Sequence, residues 1–176
     1  IDAIEEGLGW RITQGYGLTE TAPFITVCEP RPEHAALTPT ARAAIKARQG
    51  VELITSGELR VVDSSGVEVP QDGEARGEIV VRGNVVMQGY FNDPEATERA
   101  MADGWFHTGD AAVVHPDGYV EIRDRLKDVI ISGGENISSV EVEAMLLGHP
   151  AVREAAEVGL PDAHWGEAPH ALVVLE

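Results

Sequence analysis

Four short segments of the sequence place glycine residues beside polar or charged side chains that could bind a ligand. In the first, QGYGLTE, Gly15 and Gly17 flank Tyr16 and let the backbone approach a flat ring that the tyrosine could cover. The Thr19 hydroxyl and the Glu20 carboxylate follow at a spacing that suits phosphate oxygens and a divalent cation. This segment suits a nucleotide, although an ordinary strand-to-loop turn with a solvated glutamate fits it equally well.

Two further segments concentrate aromatic rings and charge. GWFHTGD ends in Asp110, whose carboxylate could accept two hydrogen bonds from a ribose diol, while Trp105 and Phe106 are expected to pack in a core. RDRLKD contributes Arg125 and Lys127. The arginine offers a planar fork for phosphate or ribose oxygens and the lysine a compact charge. A solvated hairpin is the competing interpretation of this basic cluster.

The fourth segment, SGGEN, follows an apolar run typical of a strand. Gly133 and Gly134 would let a ligand chain slide past bare backbone, which a β-carbon would obstruct; a plain turn is the alternative. The sequence contains no GxxxxGK[ST] phosphate loop, no HExxH metal motif and no GxSxG nucleophile motif. Its histidines have no ligand spacing and are expected to be structural or surface residues.

Composition limits the classes of partner. The 176 residues include 13 Lys+Arg and 30 Asp+Glu, a formal net charge of −17, which repels nucleic-acid backbones and anionic lipid. The single cysteine, Cys28, can form neither a disulfide framework nor a thiolate metal site, so a cytoplasmic protein is expected. Neither a membrane-spanning run nor a signal-peptide pattern is present. A chain that starts at Ile1 and stops inside an apolar run is expected to be a piece of a longer protein.

The elements that must position these segments follow from local patterns. We expect a strand running into a loop within residues 1–34 and a helix over 38–49, capped by Thr38 and stopped by a glycine. Short β-type runs punctuated by glycine over residues 51–91 predict a small antiparallel or barrel-like unit. Asn92 or Asp93 is expected to cap the next helix, which Gly104 would close.

The remaining third of the chain alternates strand and helix patterns. GYVEIRD and DVIIS are expected to be strands joined by a polar hinge at residues 125–127. Ser138 and Glu141 form a capping box for a helix that runs to about Leu147. A strand is predicted over residues 153–159.

The order of these motifs resembles that of a known family. QGYGLTETAP, GEIVVRG with GYFNDPEAT, GWFHTGD, GYVEIRDRLKDVIISGGENISSVEVE and HPAVREAAEVGLPDAHWGE occur in the register of acyl-CoA synthetases of the adenylate-forming superfamily. The resemblance covers the chain from about residue 14 onward. In that family ATP and a carboxylic acid give an acyl-adenylate and pyrophosphate, after which the C-terminal domain rotates and coenzyme A displaces AMP.

The resemblance implies roles for individual residues in this chain. Gly15, Tyr16 and Gly17 would line the adenine site, Thr19 would contact phosphate, and Glu20 would help to hold magnesium. A second group would complete the nucleotide site and the acyl transfer: Asp110 on the ribose hydroxyls, Ile122 against the base, Arg125 near ribose and phosphate, Lys127 at the hinge, Gly133, Gly134 and Glu135 along the pantetheine tunnel, and Trp165 against coenzyme A.

The fold expected from this resemblance is α+β. Residues 1–124 would form the end of the large AMP-binding domain, with a β-barrel-like subdomain at about 51–124, residues 125–127 the hinge, and residues 128–176 a truncated α/β C-terminal domain. The implied cofactors are ATP, Mg²⁺ and coenzyme A, and a homodimer is left open.

The expected substrate is a medium- or long-chain fatty acid, by family frequency. The alternatives are transfer of the acyl group to a carrier protein, or a piece that serves only as a structural or binding module. The family's upstream phosphate loop, acyl pocket and C-terminal catalytic lysine have no counterpart in these 176 residues. By themselves they are therefore not expected to make a thioester.

Overall fold

The computed structural model describes residues 1–176, apart from the side chain of Asp2. It combines helices and strands and divides into two units. The first unit comprises Ile1–Thr108 and Ala112–Ile122, and the second comprises Gly109–Ala111 and Arg123–Glu176. In the described part of the chain, no helix is long and apolar enough to cross a membrane.

The first unit opens with a helix that was not predicted, ahead of the strand expected within residues 1–34. Helix α1 covers Asp2–Leu8 and ends at Gly9, whose φ of 66° gives a left-handed cap. Ile1, Ile4 and Leu8 recur at helical spacing, a signal that the mixed composition of this segment obscured. The ion pair of Lys46 with Glu5 joins α1 to the second helix, α2, at Pro39–Lys46.

A three-stranded antiparallel sheet holds the glycine-rich loop. Its strands are β1 at Gly15–Tyr16, β2 at Thr26–Val27 and β3 at Val51–Glu52, in that order. Short 3-10 helices occur at Thr19–Thr21 and Pro32–Ala36.

The region predicted to be barrel-like contains a five-stranded sheet. Its strands are β4 at Glu58–Val62, β5 at Gly77–Arg82, β6 at Met101–Ala102, β7 at Trp105–Val114 and β8 at Val120–Arg125. The order is β4-β5-β7-β6, with β8 paired to β7, and β7 and β8 contribute residues to both units. Within the β-type runs predicted over residues 51–91, the segment VEVP forms only a single bridge, between Glu68 and Val62.

The core of the first unit lies between these elements. Its buried members are almost inaccessible to solvent, none more than 4% exposed: Ile25, Val61, Ile79, Val81, Ala112 and Val120. Apolar residues on the inner faces of several strands therefore supply the main hydrophobic stabilisation of this unit.

The second unit contains a four-stranded antiparallel sheet and one helix. The strands are β9 at Ile130–Ser132, β10 at Glu135–Ile137, β11 at Val152–Asp162 and β12 at Gly166–Leu175, in the order β10-β9-β12-β11. Helix α4 covers Ser139–Leu147. Strand β11 is longer than the predicted 153–159, because the hairpin with β12 continues to its turn.

The predicted helix caps are confirmed. Thr38 Oγ1 accepts a hydrogen bond from Ala41 N at 3.3 Å, and Ser138 Oγ accepts one from Glu141 N at 3.3 Å. Asp93, rather than Asn92, caps helix α3 at Pro94–Ala100. That helix ends before the predicted Gly104, because Met101–Ala102 turn back as β6 against β7.

Candidate functional site

The glycine-rich loop is shaped by close backbone contact. A β-carbon on Gly17 would lie 1.7 Å from the Pro23 carbonyl oxygen, so no other residue fits this backbone. One on Gly15 would lie 3.3 Å from the Phe24 ring. Ile25 N donates to Tyr16 O at 2.7 Å and ties the strand to its partner. Gly17 is thus required by the loop's own path, whatever ligand it meets.

Thr21 fixes the turn that carries the two polar candidates. It is fully buried, and its hydroxyl accepts from Leu18 N at 2.9 Å and lies 3.0 Å from Leu18 O. Thr19 is left exposed and Glu20 half-buried. The sequence interpretation missed Thr21, although a hydroxyl three residues after the start of a turn is a recognised local signal.

Glu20 supplies a single carboxylate. Among the described residues, no group of three or more His, Cys, Asp or Glu side chains could hold a metal ion. Magnesium that arrives with a nucleotide is bound through phosphate oxygens, waters and only one or two carboxylates, so a lone glutamate fits it. The hydroxyl of Tyr90 donates to Glu20 Oε1 at 3.0 Å. Burial, followed by this contact, raises the pKa of Tyr90.

Tyr16 and Ile122 pack against the same core cluster in the first unit. Ile122 is held from its backbone, because its N–H donates to Gln49 Oε1 at 2.6 Å. The Gln49 carbonyl accepts in turn from Thr26 Oγ1, also at 2.6 Å. Gln49 therefore links β8 to the small sheet that carries the glycine-rich loop. No local sequence pattern predicted this role.

Asp110 and Arg125 form an ion pair inside the second unit. The Arg125 Nε atom lies 2.8 Å from Asp110 Oδ1, and the Asp110 side chain is only 4% exposed while that of Arg125 is 53% exposed. Leu126 N donates to Gly109 O at 2.8 Å beside this pair. The carboxylate is thus buried and oriented, and the arginine remains accessible from one side.

A buried aspartate organises the segment predicted as the hinge. Asp124 Oδ1 accepts from Arg125 N at 2.7 Å, and its Oδ2 accepts from Ser139 N, the first residue of α4, at 2.9 Å. Asp128 N and Val129 N both donate to Arg125 O and close a turn. Lys127 lies exposed in that turn. Asp124 was missed because an aspartate in RDRLKD looks like one more solvated charge.

Two residues predicted to contact coenzyme A, Gly133 and Trp165, touch each other in the second unit. Gly133 N donates to Trp165 O at 2.8 Å, and a β-carbon on Gly133 would lie 2.7 Å from the Trp165 ring. Asp162 fixes the tryptophan loop by accepting from the N–H groups of Trp165 and His164, both at 2.8 Å, which lowers the pKa of Asp162. The Trp165 ring itself is 53% exposed.

The predicted residues therefore form separate groups within the two units. The first unit holds Gly15, Tyr16, Gly17, Thr19, Glu20 and Ile122. The second unit joins Asp110 to Arg125 and Gly133 to Trp165, and also contains Lys127, Gly134 and Glu135, all three exposed. Their ligand roles stay predictions.

The sequence of the chain matches two known protein families. Residues 1–91 match the family of AMP-binding enzymes, and residues 141–176 match the AMP-binding enzyme C-terminal domain. The chain belongs to the family of AMP-binding enzymes.

Similar curated proteins include three plant enzymes, each 54% identical to this chain. They are 2-methylpropanoate–CoA ligase CCL4 of Humulus lupulus, over 97% of this chain and 31% of the relative; acetate–CoA ligase CCL3 of Humulus lupulus, over 96% and 30%; and the peroxisomal acetate/butyrate–CoA ligase AAE7 of Arabidopsis thaliana, over 96% and 30%. The chain spans about 30% of the length of these relatives.

Solved structures show the same fold. The o-succinylbenzoate CoA synthetase of Bacillus subtilis, in complex with its acyl-adenylate intermediate, has a TM-score of 0.80 at 36% identity, over 99% of this chain and 34% of that one. The amide bond synthetase of Marinactinospora thermotolerans has a TM-score of 0.80 at 37% identity, over 99% and 34%. The Bacillus enzyme also has a structure with ATP and magnesium.

These relatives correct one expectation and bear on another. They are named for acetate, butyrate and 2-methylpropanoate, so a medium- or long-chain fatty acid as substrate is not supported. One name carries a peroxisomal location, and the cytoplasmic location expected from cysteine usage stays a prediction.

Proposed function

We propose that the intact protein activates a short linear or branched carboxylic acid with ATP and transfers the acyl group to coenzyme A. The observation that carries this proposal is the 54% identity, over 96–97% of this chain, to ligases named for 2-methylpropanoate, acetate and butyrate. The skeletons of these acids differ by at most two carbon atoms, and a hydrophobic pocket discriminates each methylene group by only about 1–3 kcal/mol. Activity with several small acids is therefore expected.

The first half-reaction is adenylation. A carboxylate oxygen of the acid attacks the α-phosphorus of ATP, the bond to the bridging oxygen breaks, and pyrophosphate leaves. In our proposal Tyr16 and Ile122 flank the adenine ring, and Asp110 accepts hydrogen bonds from the ribose hydroxyls. Arg125, paired with Asp110 at 2.8 Å, is a fixed positive charge beside the same sugar. Magnesium, when bound, would neutralise phosphate charge, with Glu20 as its protein ligand.

The second half-reaction is thioester formation. The thiol sulfur of coenzyme A attacks the acyl carbonyl carbon and its proton passes to solvent; the bond from that carbon to the phosphate oxygen breaks, and AMP leaves. The first step needs charge-neutralising groups at the α-phosphate, whereas the second needs open access to the acyl carbon, and rotation at Lys127 would supply the two surroundings in turn. In this proposal the contact of Gly133 with Trp165 forms part of the coenzyme A path, with Gly134 and Glu135 beside it.

The test measures separately which class of acid is activated and whether coenzyme A accepts the acyl group. Pyrophosphate exchange into ATP is measured for the intact protein with acetate, butyrate, 2-methylpropanoate and decanoate at equal concentration, and thioester is then quantified with free coenzyme A. We expect exchange with the three small acids at least about 10-fold above that with decanoate. Exchange confined to decanoate would overturn the substrate class.

A second outcome concerns the acceptor. The likeness to an amide bond synthetase, 37% identical over 99% of this chain, makes a different nucleophile a specific alternative to coenzyme A. Exchange with small acids but no thioester would favour that alternative, or transfer to a carrier protein. No exchange with any acid would overturn adenylation itself.

A further inference from the structure

Two hydrogen bonds from one segment hold Glu20. Met87 N donates to the Glu20 carbonyl oxygen at 2.7 Å, and Tyr90 Oη donates to Glu20 Oε1 at 3.0 Å. The first bond fixes the backbone of the residue and the second fixes the rotation of its carboxylate. Seventy positions separate Tyr90 from Glu20 in the sequence. The pairing is therefore a product of the fold of the first unit.

Tyr90 is itself held from helix α3. Its N–H donates to Thr97 Oγ1 at 2.9 Å, and that hydroxyl donates to Asp93 O at 2.8 Å. Gly89 permits this approach, because a β-carbon there would lie 2.8 Å from Thr97 Cγ2. Asp93 also caps the helix. A continuous set of hydrogen bonds thus runs from the start of α3 to the Glu20 carboxylate.

The chemistry of the contact suits a carboxylate that binds a cation. A hydroxyl that donates to one oxygen removes the freedom of the group to rotate and leaves the other oxygen available for a metal. Carboxylates that ligate metals are usually held by such hydrogen bonds, and loss of the partner lowers metal affinity or activity by about 10- to 100-fold.

We propose that Tyr90 is a positioning residue that orients the Glu20 carboxylate toward the divalent cation accompanying ATP. The inference rests on the proposed function, since it takes Glu20 as the metal carboxylate. The Tyr90 side chain is 38% exposed, and phenylalanine would keep its ring contacts. Removal of the hydroxyl therefore isolates the orienting bond from the packing.

The test compares Tyr90→Phe with wild type in the intact protein. Mn²⁺ binding is measured by electron paramagnetic resonance with a non-hydrolysable ATP analogue present, and Mg²⁺ is titrated in the pyrophosphate exchange assay. We expect Mn²⁺ affinity to fall about 10-fold and the half-saturating Mg²⁺ concentration to rise about 10-fold. Exchange at saturating Mg²⁺ should change much less. Tyr119→Phe is the matched control: its hydroxyl donates to Glu29 O instead, so both metal readouts should equal those of wild type.

Glu20→Gln shows whether Tyr90 acts through this carboxylate. In that background Tyr90→Phe should cause no further loss of Mn²⁺ affinity, whereas additive losses would overturn the proposal. Wild-type metal readouts in Tyr90→Phe would also overturn it while leaving the proposed function intact. A wild-type protein that neither binds Mn²⁺ with the ATP analogue nor exchanges pyrophosphate would overturn both.

Discussion

The two units of the chain differ in what stabilises them. In the first unit, Ile25, Ile79 and Val81 are fully buried in one apolar cluster. In the second, the long hairpin leaves Leu172 and Leu175 63% and 64% exposed. The organised part of the second unit is instead polar and centres on buried Asp124. The contrast shows that the candidate site residues of the first unit are supported by a packed apolar core. Those of the second unit depend on a few directional hydrogen bonds.

The largest expected effect tests the packed scaffold. Ile79→Ala removes a fully buried side chain from the first unit and should lower the free energy of unfolding by about 3 kcal/mol. Leu172→Ala, on the exposed hairpin, should lower it by about 0.5 kcal/mol or less. Urea denaturation of the 176-residue chain, for which these exposures are known, measures both. Equal losses would remove the contrast, because they would mean that the hairpin is as well covered as the core.

The next prediction concerns function in the second unit. Gly133→Val introduces side-chain atoms where even a β-carbon would lie 2.7 Å from the Trp165 ring, and φ there is 61°. Under the proposed function we expect thioester formation to fall about 100-fold, or about 2.7 kcal/mol, with pyrophosphate exchange nearly unchanged. Gly66→Val, at a position with φ 75° and open space and with no assigned role, is the control for backbone strain. Equal damage to both half-reactions by Gly133→Val would contradict a role confined to acyl transfer.

A smaller effect should follow loss of the central aspartate. Asp124→Ala leaves the N–H groups of Arg125 and Ser139 without their buried acceptor and should cost about 2 kcal/mol. Hydrogen exchange measured by mass spectrometry should show α4 opening faster, with β5 in the first unit unchanged. Asp128→Ala, at an exposed position, is the control. Faster exchange in both units would mean that Asp124 stabilises more than its own unit.

The smallest prediction uses a buried carboxyl group. Burial, then Glu143 and then Asp124 raise the pKa of Glu157, and its Oε2 atom has no hydrogen-bond partner among the described residues. The folded state holds this proton more tightly than the unfolded state. Glu157 therefore favours folding below its ordinary pKa, and this contribution is lost as pH rises through the raised folded value. At pH 7 Glu157→Gln should raise the free energy of unfolding by about 1 kcal/mol.

The pH dependence completes that test. The gain in the free energy of unfolding from Glu157→Gln should shrink as pH falls through the raised folded pKa and vanish below the ordinary glutamate pKa, where the wild-type carboxyl is protonated in both states. Glu154→Gln, exposed on the same strand, should show no comparable gain. If Glu157→Gln raised the free energy of unfolding equally at every pH, the stabilisation would come from packing of the amide rather than from removal of the charge.

Local patterns predicted the features whose causes are local. Thr38, Asp93 and Ser138 cap helices because each accepts a bond from an N–H three residues ahead. The motif order also predicted the family and the α+β class. The same patterns missed α1, whose short helix resembled a mixed segment, and gave no sign that GWFHTGD enters the ten-residue strand β7.

The tertiary structure alone decided which polar groups meet. Tyr90 reaches Glu20 across 70 positions, and Gln49 reaches Ile122 across 73. Neither pairing has a spacing rule, since the chain between the partners must first fold through several strands. By itself the sequence determined residue types, caps and motif order, because these depend on neighbours within one turn. Orientation of the Glu20 carboxylate arises from a distant contact, whose geometry no short pattern encodes.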